Sequence, residues 1–196
     1  MTVVIDAIGV DRLADYAQIP IVCDVQSILA IEEIDGGMGG LNFREQPLQV
    51  PYSKDYDAYA DGGPLNWPRR FDISTWGLWI GHEDADVVGG VAVAWNTPGI
   101  QMLEGKHDLA VLWDIRVRAS SRHQGVGTAL FQEAVRWTKS KGCRLLKIET
   151  QNVNVVACRF YAKMGCSLGR IDRLAYKQCP GIAGEIMLIW HLDLLS

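Results

Sequence analysis

Residues 109–142 read LAVLWDIRVRASSRHQGVGTALFQEAVRWTKSKG, and this stretch decides the fold. Its first part, LAVLWDIRV (109–117), is apolar at nearly every position, the pattern of a strand covered on both faces and central in its sheet. The glycine loop SSRHQGVG comes next. Behind it Leu130, Ala134 and Trp137 recur at helical spacing and Gly142 supplies a stop, which predicts a helix from about Val126 to Lys141. RLLKIETQ (144–151) then returns to strand character, so the unit reads strand, loop, helix, strand.

Toward the C-terminus a second helix is expected from about Asn154 to Met164, ended by Gly165, followed by strands at about Ser167–Tyr176 and Glu185–Leu192. On the N-terminal side TWGLWIGH (75–82) and DVVGGVAVAW (86–95) read as a hairpin closed by the acidic turn Glu83–Asp86. Earlier still, the Ile- and Val-rich run 19–34, the GGMGG at 36–40 and LNFREQ form a second hairpin with a glycine-rich turn. Residues 55–71, with their prolines, paired glycines and aromatics, predict an irregular loop or a short helix with a loop. The order is antiparallel hairpins followed by β-loop-α-β-α-β-β, a mixed α/β sheet.

A chain of 196 residues that is 48% hydrophobic and 21% charged can bury one substantial core, so a single domain is expected. A net charge of −4 gives no global attraction to nucleic acid and suits a cationic small substrate better. Cysteines at 23, 143, 158, 166 and 179 are odd in number, with no C-x-x-C pair and no histidine cluster at zinc spacing, so they read as reduced thiols and no metal is expected. The N-terminal stretch lacks a basic segment followed by a long apolar run, and no apolar run is long enough to span a bilayer. The expected location is cytoplasmic, with neither membrane nor nucleic acid as partner; a homodimer is left open.

The loop Arg122, His123, Gln124, Gly125, Val126, Gly127, Thr128 stands between the buried strand and its helix. A helix start carries unpaired backbone N–H groups and the positive end of the helix dipole, which suits a phosphate or pyrophosphate. Glycines at 125 and 127 let the backbone approach the oxygens closely. The spacing excludes a P-loop, which needs Lys-Ser or Lys-Thr after its second glycine, and a dinucleotide fingerprint, whose third glycine is here Leu130.

The string R-x-x-G-x-G at 122–127, between a central strand and a long helix, resembles motif A of the GNAT acetyltransferases, whose loop binds the pyrophosphate of acetyl-CoA. Asn154-x-x-Ala157-x-x-x-Tyr161-x-x-x-Gly165 resembles their motif B. A longer run is similar to the streptothricin acetyltransferases: E-T-Q-x-x-N-x-x-A-C-x-F-Y at 149–161, G-x-x-D at 169–172, then Tyr176, Glu185 and Trp190, with an echo at Pro51-Tyr-x-Lys-x-Tyr56. The chain departs from that family where a Glu-Asp pair on the central strand appears as Trp113-Asp114, and in its loops at 60–75 and 96–108. The resemblance implies a single-domain GNAT fold over 1–196, recognisable from about 76 to 193, whose mixed, mostly antiparallel central sheet is splayed at the cofactor site and flanked by helices. It implies acetyl-CoA as acyl donor and a small-molecule amine as acceptor, a streptothricin-type antibiotic first. It further implies that Asn154 and Ala157 lie along the pantetheine arm, that Tyr161 protonates the leaving thiolate, and that backbone N–H groups of Ile115, Arg116 and Val117 serve the oxyanion. Acetylation of a protein N-terminus or lysine, and a non-catalytic acyl-CoA-binding module, are the alternatives.

Direct attack of an amine on a thioester needs a neutral amine, a stabilised oxyanion and a protonated leaving group. Asp114 in the central strand and Glu149 near the end of the next are the candidate proton acceptors. An apolar strand seldom buries an unpaired charge, so each is read equally as an ion-pair partner of Arg116, Arg144 or Lys147, or as a holder of the substrate ammonium. Cys158 reads as a small buried helix residue, and His123 as a residue within reach of phosphate. Trp67, Trp76 and Trp113 read as core or as walls of an acceptor pocket.

Overall fold

The computed structural model describes residues 3–59 and 62–195. Its strands are β1 (Val4–Ala7), β2 (Val22–Glu33), β3 (Leu41–Asp55), β4 (Gly77–Glu83), β5 (Asp86–Trp95), β6 (Leu109–Val117), β7 (Leu145–Gln151), β8 (Ser167–Asp172) and β9 (Met187–Asp193). The helices are α1 (Leu13–Ala17), α2 (Trp67–Arg70), α3 (Val126–Ser140) and α4 (Val155–Lys163). Strands hydrogen-bond in the order β1-β4-β5-β6-β7-β9-β8, and β2 and β3 pair as a separate ribbon. This is the mixed, mostly antiparallel sheet with flanking helices that the sequence predicts. Backbone contacts gather in two compact units, one of Met1–Ile21, Asp55–Ile148 and His191–Ser196, the other of Val22–Lys54 and Glu149–Trp190.

In the first unit β6 pairs antiparallel with β5, from Gly89↔Val117 to Trp95↔Ala110, and parallel with β7, from Leu109↔Leu145 to Leu112↔Ile148. A parallel neighbour requires a crossover, and α3 is that crossover. Leu109, Ala110, Val111 and Leu112 are all buried, as expected for a strand covered on both faces. The register with β5 slips between Ala92↔Asp114 and Val93↔Leu112, which leaves Trp113 as the extra residue of a β-bulge.

Two adjacent glycines in β5 set how closely the two faces are covered. A Cβ on Gly89 would stand 2.9 Å from Leu130 Cδ1 and 3.0 Å from Val126 Cγ1, so α3 seats directly on the strand. A Cβ on Gly90 would stand 2.6 Å from Tyr16 Cε2 and 3.1 Å from Ile19 Cδ1, so the α1 segment does the same on the opposite face. On that second face Tyr16, Trp67, Ile73, Trp76 and Leu78 form the core. Trp67 and Trp76 have ring centroids 5.7 Å apart, Trp76 and Trp113 5.2 Å, and the Trp76 indole donates to Thr97 Oγ1 at 2.9 Å. Trp67 and Trp76 are therefore core residues, and the partly buried Trp113 packs against them.

In the second unit Asn152 fastens the β2–β3 ribbon to the chain entering β9. Its backbone accepts from Leu29 N at 2.9 Å and donates to Ile186 O at 3.0 Å, while its buried amide donates to Leu29 O at 3.1 Å and accepts from Ile186 N at 2.9 Å. The ribbon outruns the sequence expectation, because β3 continues past LNFREQ to Asp55 through Pro47 and Pro51. Each strand of a two-stranded ribbon has an open edge, where proline forfeits no ladder bond. Conversely, β8 ends at Asp172 and not near Tyr176, because Asp172 Oδ1 accepts from Leu174 N at 3.0 Å and turns the chain. β1 and α1 lie in the N-terminal stretch where the periodicity is mixed. The expected loop at 55–71 contains short turns and α2; residues 60 and 61 lie outside the described residues.

Gly90→Ala should destabilise the fold by about 1–3 kcal/mol, since the fully buried Tyr16 ring has no room to retreat. Urea denaturation followed by tryptophan fluorescence measures the loss.

Candidate active site

β6 delivers the chain into a turn at Ala119–Ser121 and then into the loop that opens α3. The loop is braced from inside: Arg122 Nε donates to Val117 O at 3.2 Å and Gln124 Nε2 donates to Ser120 O at 2.9 Å. His123 (φ 62) and Gly125 (φ 90) both adopt left-handed backbone, and Gly125 is the N-cap, with no side chain capping the helix. The first helical bond runs from Ala129 N to Gly125 O at 3.0 Å, so the N–H groups of Val126, Gly127 and Thr128 precede the helical ladder. Nothing lies within 4 Å of a Cβ built on Gly125. The structure thus brings the loop residues together at an open helix start. Val126 is buried, its side chain packed over Gly89 of β5.

Of the three β6 residues expected at the cofactor, Arg116 has a side chain committed elsewhere. Its guanidinium, 1% exposed, donates to Asp114 through Nε at 2.9 Å and Nη2 at 2.6 Å, to Asp57 through Nη1 at 2.8 Å and Nη2 at 3.1 Å, and to Ile19 O at 2.8 Å. Tyr16 completes the cluster: its hydroxyl donates to Asp114 Oδ1 at 2.6 Å and its ring lies 5.3 Å from the guanidinium carbon. Burial opposes the charge on Arg116, yet Asp114 and then Asp57 hold its pKa above the ordinary range. Burial first, and the Asp114 charge next, push the Tyr16 phenol well up. Asp114 is thus the ion-pair partner of Arg116, with both oxygens occupied. Lys147 instead pairs with Glu104. Tyr16 and Asp57 escape sequence reading because they lie 98 residues from Asp114 and 59 from Arg116, with no local pattern to mark them.

In the second unit Asn154 is the N-cap of α4, and not its first helical residue. Its Oδ1 accepts from Ala157 N at 3.1 Å and from Cys23 Sγ at 3.6 Å. An asparagine ahead of an apolar run is a readable cap signal. Cys158 and Tyr161 are buried, Ala157 is half-buried, and the Tyr161 ring stands edge-on to Phe160 at 5.5 Å. Burial pushes the Cys158 thiol up to about 12, which removes it as a nucleophile at neutral pH.

Glu149 differs from Asp114 in having no lysine or arginine hydrogen-bonded to it among the described residues. Its Oε1 accepts from the Tyr176 hydroxyl at 2.6 Å, and the Tyr176 oxygen accepts from Gln151 Nε2 at 3.0 Å. Burial raises the Glu149 pKa, with the Tyr176 hydrogen bond partly offsetting it. Burial and then the Glu149 charge hold the Tyr176 phenol above its ordinary range. Close to this group Lys54 and Glu185 form a buried ion pair, Nζ to Oε1 at 2.6 Å. That pairing links positions 131 residues apart, and only the resemblance draws attention to its members. Among the described residues no group of three or more His, Cys, Asp or Glu could hold a metal ion, and no helix is long and apolar enough to cross a membrane.

The Acetyltransferase (GNAT) family matches residues 43–166 of the chain. Streptothricin acetyltransferase A of Bacillus subtilis (strain 168) is 40% identical over 153 residues, covering 78% of this chain and 80% of that one. A streptothricin acetyltransferase of Escherichia coli is 32% identical over 143 residues, 72% of this chain and 70% of that one. Among solved structures, a Bacillus anthracis str. Ames protein in complex with acetyl coenzyme A superposes with a TM-score of 0.75 at 23% identity, covering 98% of this chain and 99% of that one, a likeness of fold.

Arg116→Met should destabilise the protein by about 3–5 kcal/mol, because it strands Asp114 and Asp57 without their shared cation. Chemical denaturation at neutral pH reads the loss.

Proposed function

We propose, on the premise that this chain belongs to the GNAT acetyltransferase family, that its acceptor is a primary amine of a small cationic antibiotic of the streptothricin class. The enzyme is an acetyl-CoA-dependent N-acetyltransferase. The acceptor reading is carried by one observation: identity of 40% to a streptothricin acetyltransferase runs over 78% of the chain, far more than a cofactor loop accounts for. The acidic balance of the protein, −4, agrees with a cationic substrate. The whole of 1–196 then works as one acetyltransferase domain, and unbridged thiols at all five cysteines suit a reducing cytoplasm.

In this reading the backbone of residues 122–128 takes the pyrophosphate, supported by the open, positively polarised start of α3. Asn154 and Ala157 carry the pantetheine arm. Glu149, directly or through water, accepts a proton from the attacking amine, whose nitrogen bonds to the acetyl carbonyl carbon as the carbon–sulfur bond breaks. Backbone N–H groups of Ile115–Val117 receive the charge that develops on the carbonyl oxygen, supported by the bulge at Trp113 that re-aims this part of β6. Tyr161 gives its proton to the departing thiolate and recovers one from solvent, so the products are the N-acetyl amine and coenzyme A. Glu149 is preferred to Asp114 as base because the latter is already held by Arg116 and Tyr16. Asp114 instead holds the strand geometry on which the oxyanion contacts depend.

Purified enzyme with acetyl-CoA should release thiol when streptothricin is added, and Tyr161→Phe should lower kcat by about 10²–10⁴-fold with little change in acetyl-CoA affinity. Thiol release with a peptide amine and none with streptothricin would replace the acceptor reading by protein acetylation. Gly125→Val, at φ +90 where a branched side chain is strained, should weaken acetyl-CoA binding by more than tenfold in calorimetry while the circular dichroism spectrum stays native. Unchanged affinity would remove the loop from the cofactor site.

A further inference from the structure

Glu149 and Gln151 are two residues apart on β7 and so project from the same face of the strand. Both bond to one phenol. The Tyr176 oxygen accepts from Gln151 Nε2 at 3.0 Å, and its hydroxyl donates to Glu149 Oε1 at 2.6 Å. An amide N–H on the phenol oxygen fixes the direction of the phenol's single proton, which must point at the carboxylate. The phenol is itself fixed. Tyr176 is 7% exposed and sits in a tight turn where Lys177 N donates to Leu174 O at 3.1 Å and Cys179 N donates to Tyr176 O at 2.8 Å. The far end of the same connection is tied by the buried Lys54–Glu185 pair.

The hydrogen bonds are distributed unevenly over the carboxylate. Oε1 is taken by the Tyr176 hydroxyl, whereas no hydrogen bond among the described residues reaches Oε2, which is not one of the buried unpaired atoms and so remains accessible to solvent. A purely structural role for this position would be met at lower cost by glutamine or leucine, since a half-buried carboxylate with one partner is an expensive way to fill space.

We infer that Tyr176, oriented by Gln151, is a positioning residue that holds the Glu149 carboxylate by Oε1 and leaves Oε2 to take the proton of the acceptor amine. The inference rests on the reading of Glu149 as proton acceptor. The charged groups around the phenol are Glu149, Glu185 and the Lys54 paired with Glu185. Burial favours the protonated, inactive form of Glu149, and the Tyr176 hydrogen bond favours the ionised one. Deleting the hydroxyl therefore raises the pKa of the base further. Activity that requires the ionised carboxylate is lost as pH falls through that pKa, so the loss moves to higher pH.

The test is the pH profile of kcat/KM for streptothricin with saturating acetyl-CoA, measured on wild type, Tyr176→Phe, Gln151→Leu and Glu149→Gln. For Tyr176→Phe the expected result is a loss of about tenfold or more at neutral pH, with the acidic limb displaced upward and acetyl-CoA affinity unchanged. Gln151→Leu should shift the same limb in the same direction by less, and it supplies the reading should the phenylalanine variant fail to fold. An acidic limb that stays at its wild-type position in folded Tyr176→Phe or Gln151→Leu overturns the inference while Glu149→Gln is inactive. If Glu149→Gln keeps full turnover, it is the assignment of the base itself that fails.

Discussion

A guanidinium sealed from solvent and shared by two carboxylates is the constraint on which the first unit is built. Arg116 reaches Asp114 on its own strand, Asp57 in the turn after β3 and the carbonyl of Ile19 after α1. Segments far apart in sequence are thereby held by one side chain that presents several donors in a rigid fork. Burying such a group alone would be prohibitive, so the carboxylates and the carbonyl have to be in place together. The cluster lies beside the β5–β6 bulge, and the same residues that satisfy the charge also fix the backbone beyond Trp113. Packing supports it from below, because Gly90 gives Tyr16 the clearance to lie under the guanidinium.

Much of this was legible in the sequence, for a physical reason. The unbroken apolar run of β6, the period of α3 and the glycines at 125, 142 and 165 are local signals, and they fix β6, α3 and α4 to within a residue or two. What the sequence does not mark is long-range polar pairing. Arg116 with Asp57, Lys54 with Glu185 and Asn152 with Leu29 join positions whose separation carries no period. The two prolines of β3 point locally toward a break, yet the open edge of a two-stranded ribbon removes their penalty. Asn154 carries two signals at once. Its place in the family pattern draws attention to the cofactor, while its immediate bond is that of a helix cap.

The carboxylates Asp114 and Glu149 illustrate how environment assigns chemistry. In sequence each is an acid on an apolar strand, and nothing ranks them. In the structure one is surrounded by donors and a permanent cation, whereas the other is left in low dielectric with a single hydroxyl. Groups of identical type thus meet different surroundings, one inside an ion pair and the other beside a neutral phenol.

The cysteines carry a consequence for an enzyme whose product is itself a thiol. Burial raises Cys143 and Cys166 to about 11 and Cys158 to about 12. Exchange with a disulfide proceeds through the thiolate, which these three side chains scarcely populate at neutral pH. Coenzyme A released at each turnover, and oxidised to its disulfide, therefore finds no interior partner in them with which to become covalently trapped. Surface-exposed Cys179 lies instead in the connection between β8 and β9, so a mixed disulfide formed there would decorate the outside of the protein and leave the buried thiols of its core intact.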